Sequence, residues 1–203
     1  MTDTYVNFAD LASHETEGID YQIRIQKKLS PFIALAIHGG GIEVGTSELT
    51  IALVENQHSY YLFEGLKSSG NSILHITSTH FDEPKALELV NQADYLVSFH
   101  GFTDSVNKHT QIGGKDLELR QKIYESLIAN GFSAEILQEP NRLMGGEPSN
   151  ITNKTRTGRG VQLEISTAQR NAFFGTNTRA GRQKTQTEEF YRYINAIKSV
   201  LPN

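Results

Sequence analysis

Twice in this chain an uninterrupted apolar run ends in histidine followed by glycine. PFIALAI, residues 31–37, leads into His38-Gly39-Gly40-Gly41, and YLVSF, residues 95–99, leads into His100-Gly101. A short, wholly apolar run bounded by turn residues reads as a buried strand, so each histidine stands where a strand gives way to a turn. A third run, GVQLEIS at residues 160–166, alternates instead: Val161, Leu163 and Ile165 share one face, and Gln162, Glu164 and Ser166 share the other.

Between these strands the spacing predicts helices. Residues 43–54, 83–92, 116–130 and 187–201 carry helical apolar periodicity, with a proline near the start of the second and Gly131 closing the third. Residues 60–66 and 72–77 read as a strand pair joined by the turn 67–70, and 132–137 as a short strand. Residues 138–160 are polar and long for a connection, which predicts an active-site loop. Helices alternating with short strands predict one α/β domain over residues 1–203. Its architecture is a three-layer sandwich with a mixed, mostly parallel sheet and helices on both faces, and ligands gather at the strand C-termini.

Composition narrows the chemistry. With no cysteine in 203 residues, a transition metal has only His, Asp and Glu to bind it. The net charge of −4 argues against nucleic acid as a partner, and no apolar run has the roughly 20 residues needed to cross a bilayer. The N-terminal residues are polar and acidic, so synthesis in the cytoplasm without a signal peptide is expected, with action outside the cell after lysis; a monomer is expected. One stretch is basic: Arg142, Lys154, Arg156, Arg159, Arg170, Arg179 and Arg182 lie among few acids and suit an anionic ligand.

Neighbouring strands lie about 4.8 Å apart, so His38 and His100 can meet above adjacent strand tips, and Glu43, beyond the glycines, can turn a carboxylate to the same point. Two imidazoles and a carboxylate, with a fourth position for water, are a ligand set of hydrolytic zinc sites. Taken singly each residue has a plainer reading: a strand-end histidine is usually a turn residue, and Glu43 a helix N-terminal acid. Glu48 is a reserve carboxylate, His75, His80 and His109 are alternative ligands or substrate contacts, and His14 and His58 read as surface residues. Glu164, mid-strand between apolar neighbours, is a candidate general base; on an edge strand it would simply be solvated. Arg156 and Arg159, just before that strand, are candidates to clamp a carboxylate or steady an oxyanion. A serine hydrolase is disfavoured by the lack of a Gly-x-Ser-x-Gly elbow, and there is no His-Glu-x-x-His helix.

Together His38-Gly-Gly-Gly-Ile-Glu43, Ser98-Phe-His100-Gly and Gly160-Val-Gln-Leu-Glu164-Ile-Ser resemble the poly-γ-glutamate hydrolases of bacilli and their phages over essentially the whole chain. That family is similar to the zinc carboxypeptidases and the N-formylglutamate amidohydrolases. Here four residues separate His38 from Glu43, where carboxypeptidases have two. The resemblance implies a carboxypeptidase-like fold, Zn2+ on His38, Glu43 and His100, Glu164 as general acid/base, and poly-γ-glutamate as substrate. The α-carboxylates of that polymer would pair with Arg142 and Arg170, and Arg156 or Arg159 would face the oxyanion. For a phage, such an activity clears a capsule-like polymer from the path to the host. Two alternatives stay open, a small-molecule N-acyl amino acid deacylase and a non-catalytic polyanion-binding protein.

Overall fold

Seven strands form a single sheet in the order β1-β3-β2-β4-β7-β5-β6 in the computed structural model, which describes residues 3–202. The strands are β1 (Tyr21–Gln26), β2 (Phe32–Gly40), β3 (Ser59–Gly65), β4 (Tyr95–Phe102), β5 (Thr110–Gly114), β6 (Ala134–Ile136) and β7 (Val161–Ser166). Contacts β3/β2, β2/β4, β4/β7 and β5/β6 are parallel, while β1 joins β3 and β5 joins β7 antiparallel. The sheet is therefore mixed and mostly parallel, as expected.

Helices cover both faces because the central strands are apolar on both. Phe32, Ala34, Val97, Phe99, Val161, Leu163 and Ile165 face a core completed by α2 (Thr46–Val54), α4 (Leu117–Ala129) and α7 (Glu188–Lys198). Ile33, Leu35, Ile37 and Leu96 face the opposite core, with α1 (Phe8–His14) and α3 (Pro84–Val90). Burial of the larger of these side chains, at about 1.5–3 kcal/mol each, is the main force holding the three layers together. Helix starts follow local chemistry. Glu83 accepts from the Ala86 N–H just before Pro84, Asp116 from Leu119 N–H, and Thr187 from Phe190 N–H, each satisfying an orphan donor of the first turn.

Three expectations need correction. Residues 72–77 are not a strand: Asn71–Leu74 is a 3-10 turn leading into a loop, because both edges of β3 are already occupied by β1 and β2. Residue 43 is not helical; α2 begins at Thr46, after Gly45 in the left-handed region at φ 100°. β1 and β5 were not anticipated, although Tyr21, Ile23 and Ile25 in β1 alternate as a half-buried strand should. Among the described residues no helix is long and apolar enough to cross a membrane.

Candidate metal centre and active site

β2 and β4 are neighbours, and their parallel pairing brings His38 and His100 to the same edge of the sheet. The chain leaves β2 through a turn in which Glu43 N–H donates to the His38 carbonyl at 2.8 Å. Small residues are required here, since a Cβ on Gly39 would collide with Ser47 Oγ and one on Gly41 would lie 2.5 Å from the Asn71 amide nitrogen. The turn swings Glu43 back over the strand tips, where its Oε2 accepts from Gly101 N–H at 2.9 Å.

Three donor atoms meet at this point. His38 Nδ1 and His100 Nδ1 are 3.1 Å apart, and Glu43 Oε2 lies 3.1 Å from the first and 3.6 Å from the second. Ligands at 2.0–2.1 Å around a tetrahedral zinc are about 3.4 Å from one another, so these separations are those of one face of such a polyhedron. The tautomer of His38 fits as well. Its Nε2 is 2.9 Å from the Ile76 carbonyl, an acceptor only, so Nε2 carries a hydrogen and, when the ring is neutral, the Nδ1 lone pair points inward. The donor set therefore suits a borderline metal such as zinc.

Electrostatics agree with a cation-seeking centre. Burial opposes charge on His38, but the Glu43 carboxylate beside it outweighs that and raises its pKa. Burial likewise works against ionised Glu43, yet the neighbouring imidazoles hold its pKa well below the usual carboxylate range. His100, buried first of all and repelled by His38, is pushed down to about 3 despite Glu43, so it is a neutral donor.

Glu164 is brought in by β7, where it pairs in register with His100. With β4 on one side and β5 on the other, β7 is an interior strand, and Glu164 is 5% exposed rather than solvated. Burial, then the charge of Glu43, raises its pKa; His38, a hydrogen bond from Gln162 and Arg170 act the other way. A carboxyl poised upward is what proton transfer near neutrality asks for.

His38, Glu43, His100, Glu164, Arg142 and Arg170 all line one cleft of about 510 Å³. Arg142 stands exposed on its rim. Arg170, from α5 (Thr167–Ala172), lies deeper: its guanidinium donates to the carbonyls of Val44 at 2.7 Å and Ile165 at 3.0 Å and packs against Gly101. Its charge offsets the two buried carboxylates.

Arg156 and Arg159 are not brought to the cleft. Both precede β7 and so lie at the opposite end of the sheet from the strand tips; Arg156 forms a bidentate pair with Asp94, just before β4, at 2.6 and 2.7 Å. Glu48 is also taken, bonded to Arg182 at 3.0 Å. His75 does line the cleft, stacked on His38 with ring centres 4.0 Å apart and its Nδ1 2.7 Å from Asp3. His38, Glu43 and His75 form a second donor set with ligand atoms within 4.8 Å of one another. The signal for His75 was its bare presence; that for Asp3, more than 70 residues away, was none.

A mixed α/β sandwich with an open His/Glu donor set and a further buried carboxylate at its strand tips is an arrangement used for hydrolytic chemistry. The chain belongs to the poly-γ-glutamate hydrolase family, whose model matches residues 5–196. A SPbeta prophage-derived protein of Bacillus subtilis strain 168, YoqZ, is 50% identical over 98% of this chain and 72% of its own length. The structure of a bacteriophage poly-gamma-glutamate hydrolase superposes with a TM-score of 0.94 at 46% identity, covering 98% of this chain and 96% of that one. A zinc-free apo structure of YNDL also gives 0.94, at 42% identity over 98% and 97% of the two chains. An N-formylglutamate amidohydrolase from Ralstonia eutropha JMP134 shares the fold alone, with a TM-score of 0.55 at 9% identity over 89% and 95%.

Proposed function

We propose that this chain is a zinc-dependent hydrolase that cleaves the γ-glutamyl amide bonds of poly-γ-glutamate, with His38, Glu43 and His100 as metal ligands and Glu164 as general base. The observation that carries this reading is the convergence of His38 Nδ1, His100 Nδ1 and Glu43 Oε2 within 3.1–3.6 Å, beside a buried carboxylate. Family membership supports the substrate, and the zinc-free apo structure of YNDL supports the metal.

Zinc bound to these residues would supply Lewis-acid polarisation of the scissile carbonyl and acidify a water. Glu164 takes the proton from the attacking water and delivers it to the departing amine. Arg170 balances the negative charge of Glu43 and Glu164, keeping two carboxylates tolerable in one buried site. Arg142, on the rim, pairs with an α-carboxylate of the polymer and sets where the chain lies across the cleft. The partner is thus an anionic polymer rather than nucleic acid or membrane, and the chain works as a monomer on extracellular material, as a phage or prophage product would.

The deciding experiment is Glu164→Gln, assayed by loss of polymer viscosity at a measured zinc content. We expect kcat to fall by at least roughly 10²-fold with one zinc still bound. Unchanged hydrolysis would remove Glu164 as the base.

A further inference from the structure

Gln162 occupies an interior position of the central strand β7, where a polar side chain is costly unless every bond is made. It is 4% exposed, and its amide is fully engaged. Nε2 donates to Glu164 Oε1 at 2.9 Å and to the Leu143 carbonyl at 3.3 Å, while Oε1 accepts from Asn150 Nδ2 at 2.8 Å. Asn150 in turn accepts from Thr152 N–H at 2.9 Å, so its own amide cannot reverse. Flipping the Gln162 amide would set an oxygen against a carboxylate and a carbonyl, so a single orientation is imposed.

The same side chain is the seat of the cleft loop. Gly145, at φ +61°, rests on the Gln162 amide so closely that a Cβ there would lie 2.6 Å from Oε1. One residue before it, the Met144 carbonyl accepts from Gly114 N–H of β5 at 2.6 Å. Residues 143, 144, 145 and 150 are therefore docked onto the sheet, and Arg142, next along, is left exposed toward the cleft.

We propose that Gln162 is a positioning residue that couples the substrate loop to the base: it fixes Glu164 through one N–H and the backbone beside Arg142 through the other. Seating an anionic substrate on Arg142 and aiming the Glu164 carboxylate thereby become one event. This rests on the reading of Glu164 as the base. With Oε1 held by the amide, Oε2, which has no hydrogen bond among the described residues, is the oxygen that receives the proton.

The test uses the zinc-loaded full chain carrying Gln162→Glu, near in shape, which replaces the N–H donor by a second carboxylate oxygen facing Glu164. A roughly tenfold to hundredfold loss in kcat at one bound zinc per chain is expected, since small misplacements of a catalytic group cost that much. In a double-mutant cycle, Arg142→Ala should cost less in kcat/KM in the Gln162→Glu background than in the parent. Asn150→Ala, one bond further out, should lose a few-fold and serves if Gln162→Glu does not fold. A parental kcat, a loss of kcat that only tracks lost zinc, or strict additivity with Arg142→Ala would each overturn the proposal. Glu164→Gln run in parallel separates the readings: activity there removes the base itself, whereas an inactive Glu164→Gln beside a fully active Gln162→Glu removes only the role given to Gln162.

Discussion

His38 donates from Nε2 to the Ile76 carbonyl at 2.9 Å, and this bond holds a hydrogen on Nε2, so that in the neutral ring the other nitrogen faces His100 and Glu43 as a lone pair. The candidate metal centre is thus oriented from behind, by the loop after the 3-10 turn.

Removal of one ligand should uncouple the chain from zinc without unfolding it. For His100→Ala we expect loss of stoichiometric metal. We also expect loss of the zinc-dependent rise in Tm, which in the parent should amount to about 2.7 kcal/mol of stability at a free zinc concentration a hundred times Kd. Metal analysis and thermal melts with and without chelator read both. A full equivalent of zinc retained by His100→Ala excludes it as a ligand.

Asp3 clamps the loop that carries Ile76, accepting from Thr77 N–H at 2.7 Å and bonding His75 at 2.7 Å. Asp3→Ala should therefore weaken zinc binding by up to roughly tenfold, the low end of effects from groups behind the ligands. Competition against a chromogenic chelator measures it, and parental affinity would show that the clamp does not reach the metal.

The same carboxylate predicts a pH dependence of stability. Burial raises its pKa, but the hydrogen bonds from Thr77 and the His75 contact win and depress it. A depressed folded-state pKa stabilises above the unfolded value and loses that contribution as pH falls through the folded one. The stability gap between the parent and Asp3→Ala, by urea unfolding, should hold at pH 5–7 and shrink below about pH 4. A gap that widened on acidification would contradict this.

The arginines should separate by sheet end. Arg142→Ala should raise KM for the polymer and also lower kcat, because substrate seated there helps to aim Glu164, and the effect should fade at high salt. Arg156→Ala should leave both constants alone and cost under about 1 kcal/mol of stability, because the arginine of its pair with Asp94 is largely exposed. Steady-state kinetics at two ionic strengths distinguish them.

Gly101 lies against Arg170, and a Cβ there would sit 2.5 Å from the guanidinium carbon. Gly101→Ala must displace that buried side chain, at about 1–3 kcal/mol, or roughly 2–4 °C in Tm per kcal/mol for a chain of this size. Differential scanning calorimetry reads the shift.

Much of this was legible in the residues, for physical reasons that differ. Apolar runs announced β2 and β4, and the His-Gly endings placed imidazoles at their tips; alternation in β7 put Glu164 opposite Val161, Leu163 and Ile165. Arg156 and Arg159 were misplaced because closeness in sequence to β7 stood in for closeness to its chemistry, though residues that precede a parallel strand lie at its far end. Residues 138–160 in fact span both ends: their first part walls the cleft, while their last runs to the base of the sheet. Arg170, Asp3 and the stacking of His75 depend on long-range packing and leave no local pattern.

The register of β2 against β3 slips between Ala36 and Gly39, where three steps along one strand match two along the other. Strict alternation would send His38 to the side of Phe32 and Ala34, away from the face on which His100 and Glu164 lie. One surplus residue in the ladder turns the imidazole around. A β2 of the same length with a regular ladder would keep its apolar side chains in the sheet and still dismantle the donor set, so the orientation of the whole centre hangs on a local miscount in strand pairing.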